Sequence, residues 1–143
     1  AIVIKSLAKD VSGEDAPQVI LGYTIANDVT ARDAMTGGPW SRGKSFDSAC
    51  PLGPWITVDP TLDVTNLAIR SYLNGVKAQD SSTAHMIWNP FELVSYVSRQ
   101  MTLLPGDVIV TGAPAGCGRV DAGDRVEIEI EGIGSLMNPV VRA

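Results

Sequence analysis

The sequence predicts a mainly β protein with minor helix, built as two packed sheets or a partly closed roll. Three observations carry this reading. Asn74-Gly75 stands between two strand-like runs, the strongest short-range signal for a hairpin. Val126, Ile128 and Ile130 alternate with Glu127, Glu129 and Glu131 ahead of Gly132 to Gly134, which marks an antiparallel pair with one wet face. One stretch alone, Pro90 to Gln100, repeats its apolar residues convincingly at helical spacing. A single sheet would leave too many apolar strand faces uncovered, so two layers are required.

Taken along the chain, Ala1 to Ile4 read as the tail of a buried strand. Ser12 is placed to cap a short helix with Glu14 and Asp15 in its first turn, and Pro17 limits that helix. Val19 to Val29 is the next strand. Thr30 and Asp33 have the spacing of a variant capping box, which predicts a helix start. The stretch TGGPWSRGKSF is a loop by its Gly and Pro content. A short strand is expected around Trp55 to Val58, then the hairpin through Asn74-Gly75. Asn89 caps the main helix, with Pro90 at its first position and Phe91, Val94, Val97 and Met101 on one face. Met86, Trp88, Phe91 and Met101 are assigned to the core. LLPGD turns into a strand from Val108 to Thr111, a loop follows, and Ser135 to Arg142 is the return strand after the final turn.

At 143 residues the length fits one domain, 1–143. A hydrophobic fraction of 45% with 19% charged residues is that of an ordinary globular protein. The net charge of −5 and the scattered basic residues argue against nucleic acid as a partner, since phosphate backbones demand clustered Lys and Arg. No apolar stretch is long enough to span a membrane, and no secretory leader pattern is present. Cys50 and Cys117 are far apart and lack CxxC spacing; they read as two free thiols of a reducing cytoplasm. The opening AIVI has no Met and begins mid-strand, as in a chain whose beginning has been lost.

Few residues offer chemistry. Asp28 follows a β-branched run and reads either as a turn former or as a carboxylate ligand for Mg²⁺ or Mn²⁺. Arg32 is either half of a surface ion pair with Asp33 or an anion holder. Lys44, in RGKSFD, is a solvated charge if it points outward and the holder of a carboxylate or oxyanion if it points inward. TGAPAGCG, residues 111–118, offers several backbone N–H groups among small residues and is a candidate anion nest. It lacks the Gly-Lys-Ser/Thr ending of a phosphate loop, which disfavours nucleotide binding. His85 is the only histidine, so no Ser-His-Asp set or His-based metal cluster forms without it; it reads as structural or exposed.

The stretches GYTIANDVTARD, RGKSFDSACPLGPWI, LNGVKAQDSSTAHMI, PFELVSYVSRQMTLLPGDVIVTGAPAGCG and GDRVEIEIEGIGSLMNPV, in this order, resemble the C-terminal catalytic domain of the fumarylacetoacetate hydrolase superfamily. They cover nearly the whole chain. The resemblance implies that family's mixed β-sandwich roll and a homodimer. It also implies a divalent-metal enzyme acting on 2-oxo acids or β-dicarbonyl acids, with Mg²⁺ or Mn²⁺ as cofactor and Ca²⁺ as a third candidate. Residue by residue, it makes Asp28 a metal ligand and Lys44 the contact to the oxo-acid group of a small 2-oxo acid. It sets Arg32 near the site and makes Thr111, Gly112 and Ala113 part of a loop that closes over substrate.

Relatives usually carry Thr where this chain has Ala113, so one hydroxyl contact is replaced by backbone contacts. Met35 stands where acylpyruvate-cleaving relatives often carry Gln. The family's Glu-x-Glu metal ligands and the His and Glu of its lid lie upstream of the strand matching Ala1 to Ile4, so the resemblance implies an N-terminally truncated enzyme. Its reaction would be C–C hydrolysis, isomerisation or decarboxylation through a stabilised enolate, as in hydroxymuconate isomerases, acylpyruvases or oxaloacetate decarboxylases. The rival reading is a non-catalytic β-roll scaffold for dimerisation or binding, with an incomplete metal site.

Overall fold

The computed structural model describes residues 1–142. Its strands are β1 (Ile2–Ile4), β2 (Ile20–Ala26), β3 (Leu52–Thr57), β4 (Ala68–Leu73), β5 (Val76–Ser82), β6 (Val108–Ile109), β7 (Arg125–Ile130) and β8 (Gly134–Pro139), with helices α1 (Ala16–Val19) and α2 (Pro90–Gln100). The strands form two four-stranded sheets, in the orders β3-β2-β1-β6 and β5-β4-β7-β8, and every pairing is antiparallel. The mainly β architecture with minor helix is therefore the observed one.

Local chemistry accounts for the elements that the sequence marks most clearly. Asn74 and Gly75 both take positive φ, at 52° and 82°, as a two-residue turn between paired Leu73 and Val76 requires. Helix α2 starts on a complete capping box: the Asn89 side chain accepts from the Phe91 and Glu92 N–H groups, and Glu92 accepts from the Asn89 N–H. The three glutamates near β7 all find donors on the wet side. Tyr72 donates to Glu129, Ser135 to Glu127, and the Ala68 N–H to Glu131.

Two buried clusters hold the layers together. Ile2, Ile4 and Ile20 of the first sheet pack with Ala16 of α1 and Val94 of α2. Ile25 packs with Val64, Leu67, Ile130, Ile133 and Leu136 between the two sheets. Burying an isoleucine such as Ile25 contributes roughly 1.5–3 kcal/mol. Tyr23 and Phe91 touch both clusters and so tie the layers to each other.

Several expectations need correction. Asp15, not Ser12, is the N-cap of α1; the Ser12 hydroxyl accepts from the Asp15 N–H and closes the turn before it. Thr30 caps nothing, because its side chain is drawn into the site described below. The following segment is a 3₁₀ turn, Arg32–Met35, capped at Ala31. Strand β3 begins earlier than predicted, since Leu52 and Gly53 pair with Ala26 and Ile25. Strand β6 keeps only two of the four expected residues, its ladder to β1 ending at the Ile2–Ile109 pair. Trp88 and Met101 are surface residues rather than core: Trp88 stacks edge-on against Tyr96, with ring centroids 5.3 Å apart. Among the described residues no helix is long and apolar enough to cross a membrane.

Candidate active site

The end of β2 and the start of β3 are sewn together beyond their ladder. The Asn27 N–H donates to Pro51 O and the Val29 N–H to Ala49 O, both at 3.0 Å. The chain between them, residues 30–48, is thereby closed into a loop containing the 3₁₀ turns Arg32–Met35 and Trp40–Gly43. Gly43 is the clasp of this loop. Its carbonyl accepts from the Ala31 N–H at 2.9 Å, and a Cβ there would lie 2.4 Å from Met35 Cγ and 2.7 Å from Ala31 O. Only glycine permits that approach, and the residue it delivers is Lys44.

Lys44 meets Asp28 as a result. Its ammonium forms a salt bridge with Asp28 Oδ2 and donates to Thr30 Oγ1 at 3.1 Å, while the Thr30 hydroxyl donates to the Asp28 carbonyl at 3.2 Å. The two charged side chains are 32% and 39% exposed, so the pair is open to solvent and to a ligand. Arg32 does not pair with Asp33 among the described ion pairs; its Nη2 donates to Cys117 Sγ at 3.7 Å and ties the β2 loop to the glycine-rich loop. Both cysteines are free and exposed.

A cavity of about 530 Å³ lies between the sheets, with Ala26 at the end of β2 in its wall. Thr111, Gly112 and Ala113 form part of its wall, together with apolar residues such as Ile69 and Ile128 and the ring of Tyr23. The Tyr23 hydroxyl is pushed up to about 12 by burial. His85 also faces the cavity, with its Nδ1 3.2 Å from Ser81 Oγ. Asp28 and Lys44 are not in this wall, which on that side reaches Ala26. The structure thus brings Asp28, Lys44 and Thr30 together and sets the 111–113 loop on the cavity, with Arg32 as the polar link. Sequence reasoning missed Thr30 as a site residue, because a Thr ahead of an acidic residue carries the same signal as a helix cap.

A divalent ion is not accommodated by these residues alone. Among the described residues no group of three or more His, Cys, Asp or Glu side chains converges as a metal site. Asp28 offers one carboxylate, and an ammonium occupies one of its oxygens. Mg²⁺ demands octahedral oxygen ligands, and one engaged carboxylate does not supply them.

Comparison with known proteins decides the lineage. Residues 1–141 match the model of the fumarylacetoacetate (FAA) hydrolase C-terminal family. The chain belongs to that family. Among solved structures of the family, it superimposes on 5-carboxymethyl-2-hydroxymuconate delta-isomerase from Mycobacterium smegmatis with a TM-score of 0.95 at 50% identity, over 99% of this chain and 56% of that one. The fumarylpyruvate hydrolase from Pseudomonas aeruginosa, solved with Mn²⁺ and pyruvate, matches with a TM-score of 0.93 at 35% identity, over 99% of this chain and 63% of that one. A mitochondrial oxaloacetate tautomerase of Xenopus laevis is 42% identical over 152 residues, 99% of this chain and 48% of its own length. The chain spans about half the length of the curated relatives it matches. An isomerase, a hydrolase and a tautomerase are thus among its relatives.

Proposed function

We propose that the polypeptide carrying these 143 residues is a divalent-metal-dependent enzyme that processes a small 2-oxo acid or β-dicarbonyl acid through an enolate. The observation that carries this is the Lys44 ammonium, fixed between Asp28 and Thr30 just beyond β2, the strand whose Ala26 lines the apolar cavity. An ammonium so placed binds a carboxylate and stabilises negative charge developing on an adjacent oxygen. The Thr111–Ala113 backbone would line the bound acid from the cavity side, and Arg32 would add charge near its rim. Mg²⁺ or Mn²⁺, held by Asp28 with carboxylates from outside these residues, would supply Lewis-acid polarisation of the oxo group.

The names of the relatives support the substrate class, since pyruvate and oxaloacetate are both 2-oxo acids. The free thiols suit a cytoplasmic setting. A homodimer would cover the apolar side chains that Leu52, Trp55 and Ile56 of β3 and Val58 just after it expose, and size-exclusion chromatography reports on it. The single converged carboxylate favours the rival scaffold reading for the chain on its own.

The test is an assay with oxaloacetate and with an acylpyruvate at millimolar Mn²⁺ or Mg²⁺, run on the 143-residue chain and on a polypeptide that continues upstream of Ala1. The longer polypeptide should turn over one of these acids, and the short chain should be inert and hold Mg²⁺ poorly. Lys44→Ala in the longer form should lose about 10²–10³ in kcat, the range for removing a group that stabilises developing oxyanion charge. Asp28→Asn should weaken Mn²⁺ binding in titration calorimetry. No turnover by either form would favour the scaffold.

A further inference from the structure

We propose that Gln79 is the positioning residue of the cavity loop, holding residues 111–116 in place for a bound 2-oxo acid. The inference rests on the substrate reading above and adds a residue that touches neither Asp28 nor Lys44. The loop needs such a holder. From Thr111 to Val120 no backbone–backbone hydrogen bond fixes it among the described residues. Apart from the local Arg119–Asp121 pair, its polar ties to the rest of the molecule among the described residues are the Arg32 contact to Cys117 and a bond from Gln79 Nε2 to Pro114 O at 2.7 Å.

The second sheet is shaped to make that bond. In the β4–β5 ladder Ser71 pairs with Gln79 but Tyr72 pairs with Lys77, so Ala78 is the extra residue of a β-bulge. A bulge bends its strand and re-aims the neighbouring side chains. The bulged Ala78 carbonyl lies beneath Gly116, where a Cβ would come within 2.3 Å of it; Gly116 has φ +103°, so the loop rests directly on β5. Next to the bulge, Gln79 Oε1 accepts from the Ser71 hydroxyl at 2.6 Å, and Ser71 is only 7% exposed. The Pro114 carbonyl orients the amide: it can only accept, so the NH₂ faces it and the oxygen turns to the Ser71 hydroxyl. Ser71, Gln79 and the Pro114 carbonyl form one relay from the core of the second sheet to the cavity wall. Buried Ser71 and the half-buried Pro114 carbonyl would each lose this partner if Gln79 were removed.

Loop mobility, read as ¹⁵N relaxation order parameters of the metal-free protein, and oxalate binding in the presence of Mn²⁺ test the assignment, both on the polypeptide that carries these residues and continues upstream of Ala1. Gln79→Ala and the similarly sized, uncharged Gln79→Met should both lower the order parameters of residues 111–118. Each should weaken oxalate about tenfold, the effect of one lost hydrogen bond in a site, with order parameters elsewhere unchanged. Ser71→Ala should do the same more weakly. Should Gln79→Ala fail to fold, Gln79→Met carries the same test, since it nearly keeps the side-chain volume and loses the amide without adding a charge. Unchanged order parameters in the loop of a folded Gln79 variant would overturn the tether. Lower order parameters with unaltered oxalate affinity would overturn the positioning role. If the parent itself ignores oxalate while the variants still loosen the loop, the substrate reading falls and the tether stands.

Discussion

Lys44 reaches its place through contacts distant in sequence, and its neighbour Thr30 tests whether those contacts matter. The Thr30 hydroxyl accepts from the Lys44 ammonium and donates to the Asp28 carbonyl, so it fixes both charged groups relative to one backbone atom. Thr30→Val keeps the shape and removes both bonds. A hydrogen bond to a charged group is worth about 1.5–3 kcal/mol, less where solvent competes, so a five- to tenfold rise in the oxalate dissociation constant is expected, about 1–1.4 kcal/mol and just under that range. Thermal stability should be nearly unchanged, because Thr30 is not in either core cluster. Calorimetric titration of the variant beside the parent decides it, and equal affinities would remove Thr30 from the site. The residue types were legible: Asp28, Lys44 and the 111–113 loop all stood out in the sequence. Their grouping was not, because no local pattern states that Gly43 must lie against Ala31, and only the family resemblance joined Asp28 to Lys44.

Elements differ in how much of their cause is local. Helix α2 and the β4–β5 hairpin were readable because a capping box and an Asn-Gly turn act within a few residues. Strand β3 was read too short because its first residues are strand only through pairing with β2. The turn after β2 was read as a capped helix because Thr30 had a better partner in Lys44, which lies 14 residues away. Where the cause is local, its removal has a calculable cost. Asn89→Ala deletes the acceptor for the Phe91 and Glu92 N–H groups and should cost about 1 kcal/mol. In a domain of this size that lowers the melting temperature by roughly 2–4 °C. Asn89→Asp should retain most of the stability, since Asp is an equally good cap. Thermal denaturation followed by circular dichroism reads both, and an unaltered melting temperature in Asn89→Ala would mean that packing through Val94 alone sets the helix.

At the scale of the whole molecule, protonation links the surface turns to the core. Four exposed carboxyls lie below their ordinary value in the fold. Asp59 and Asp63 are held there by the hydroxyl and N–H of Thr61 and Thr65, Asp80 first by its bond from Lys77, and Asp124 by the Asp121 N–H and the Asn74 amide. For each, the unfolded chain binds a proton at a higher pH than the native one does. Their stabilisation is therefore complete above about pH 4 and is lost as pH falls through the lowered native values. All four are solvent-exposed, so this acid limb should be shallow and weakened by salt.

Tyr23 acts in the opposite direction, from inside. It touches both buried clusters and the cavity, and burial pushes its hydroxyl up to about 12. In the unfolded chain the phenol ionises near about 10, so above that pH the native state binds more protons and stability falls as pH rises towards the native value. Urea midpoints should thus decline at both the acid and the alkaline end. Tyr23→Phe keeps the ring between the two clusters and removes the titrating oxygen. Its midpoint should fall less than the parent's between pH 10 and 11, while the acid limb stays the same. An identical alkaline decline in parent and variant would show that the fold does not hold the half-buried Tyr23 hydroxyl neutral.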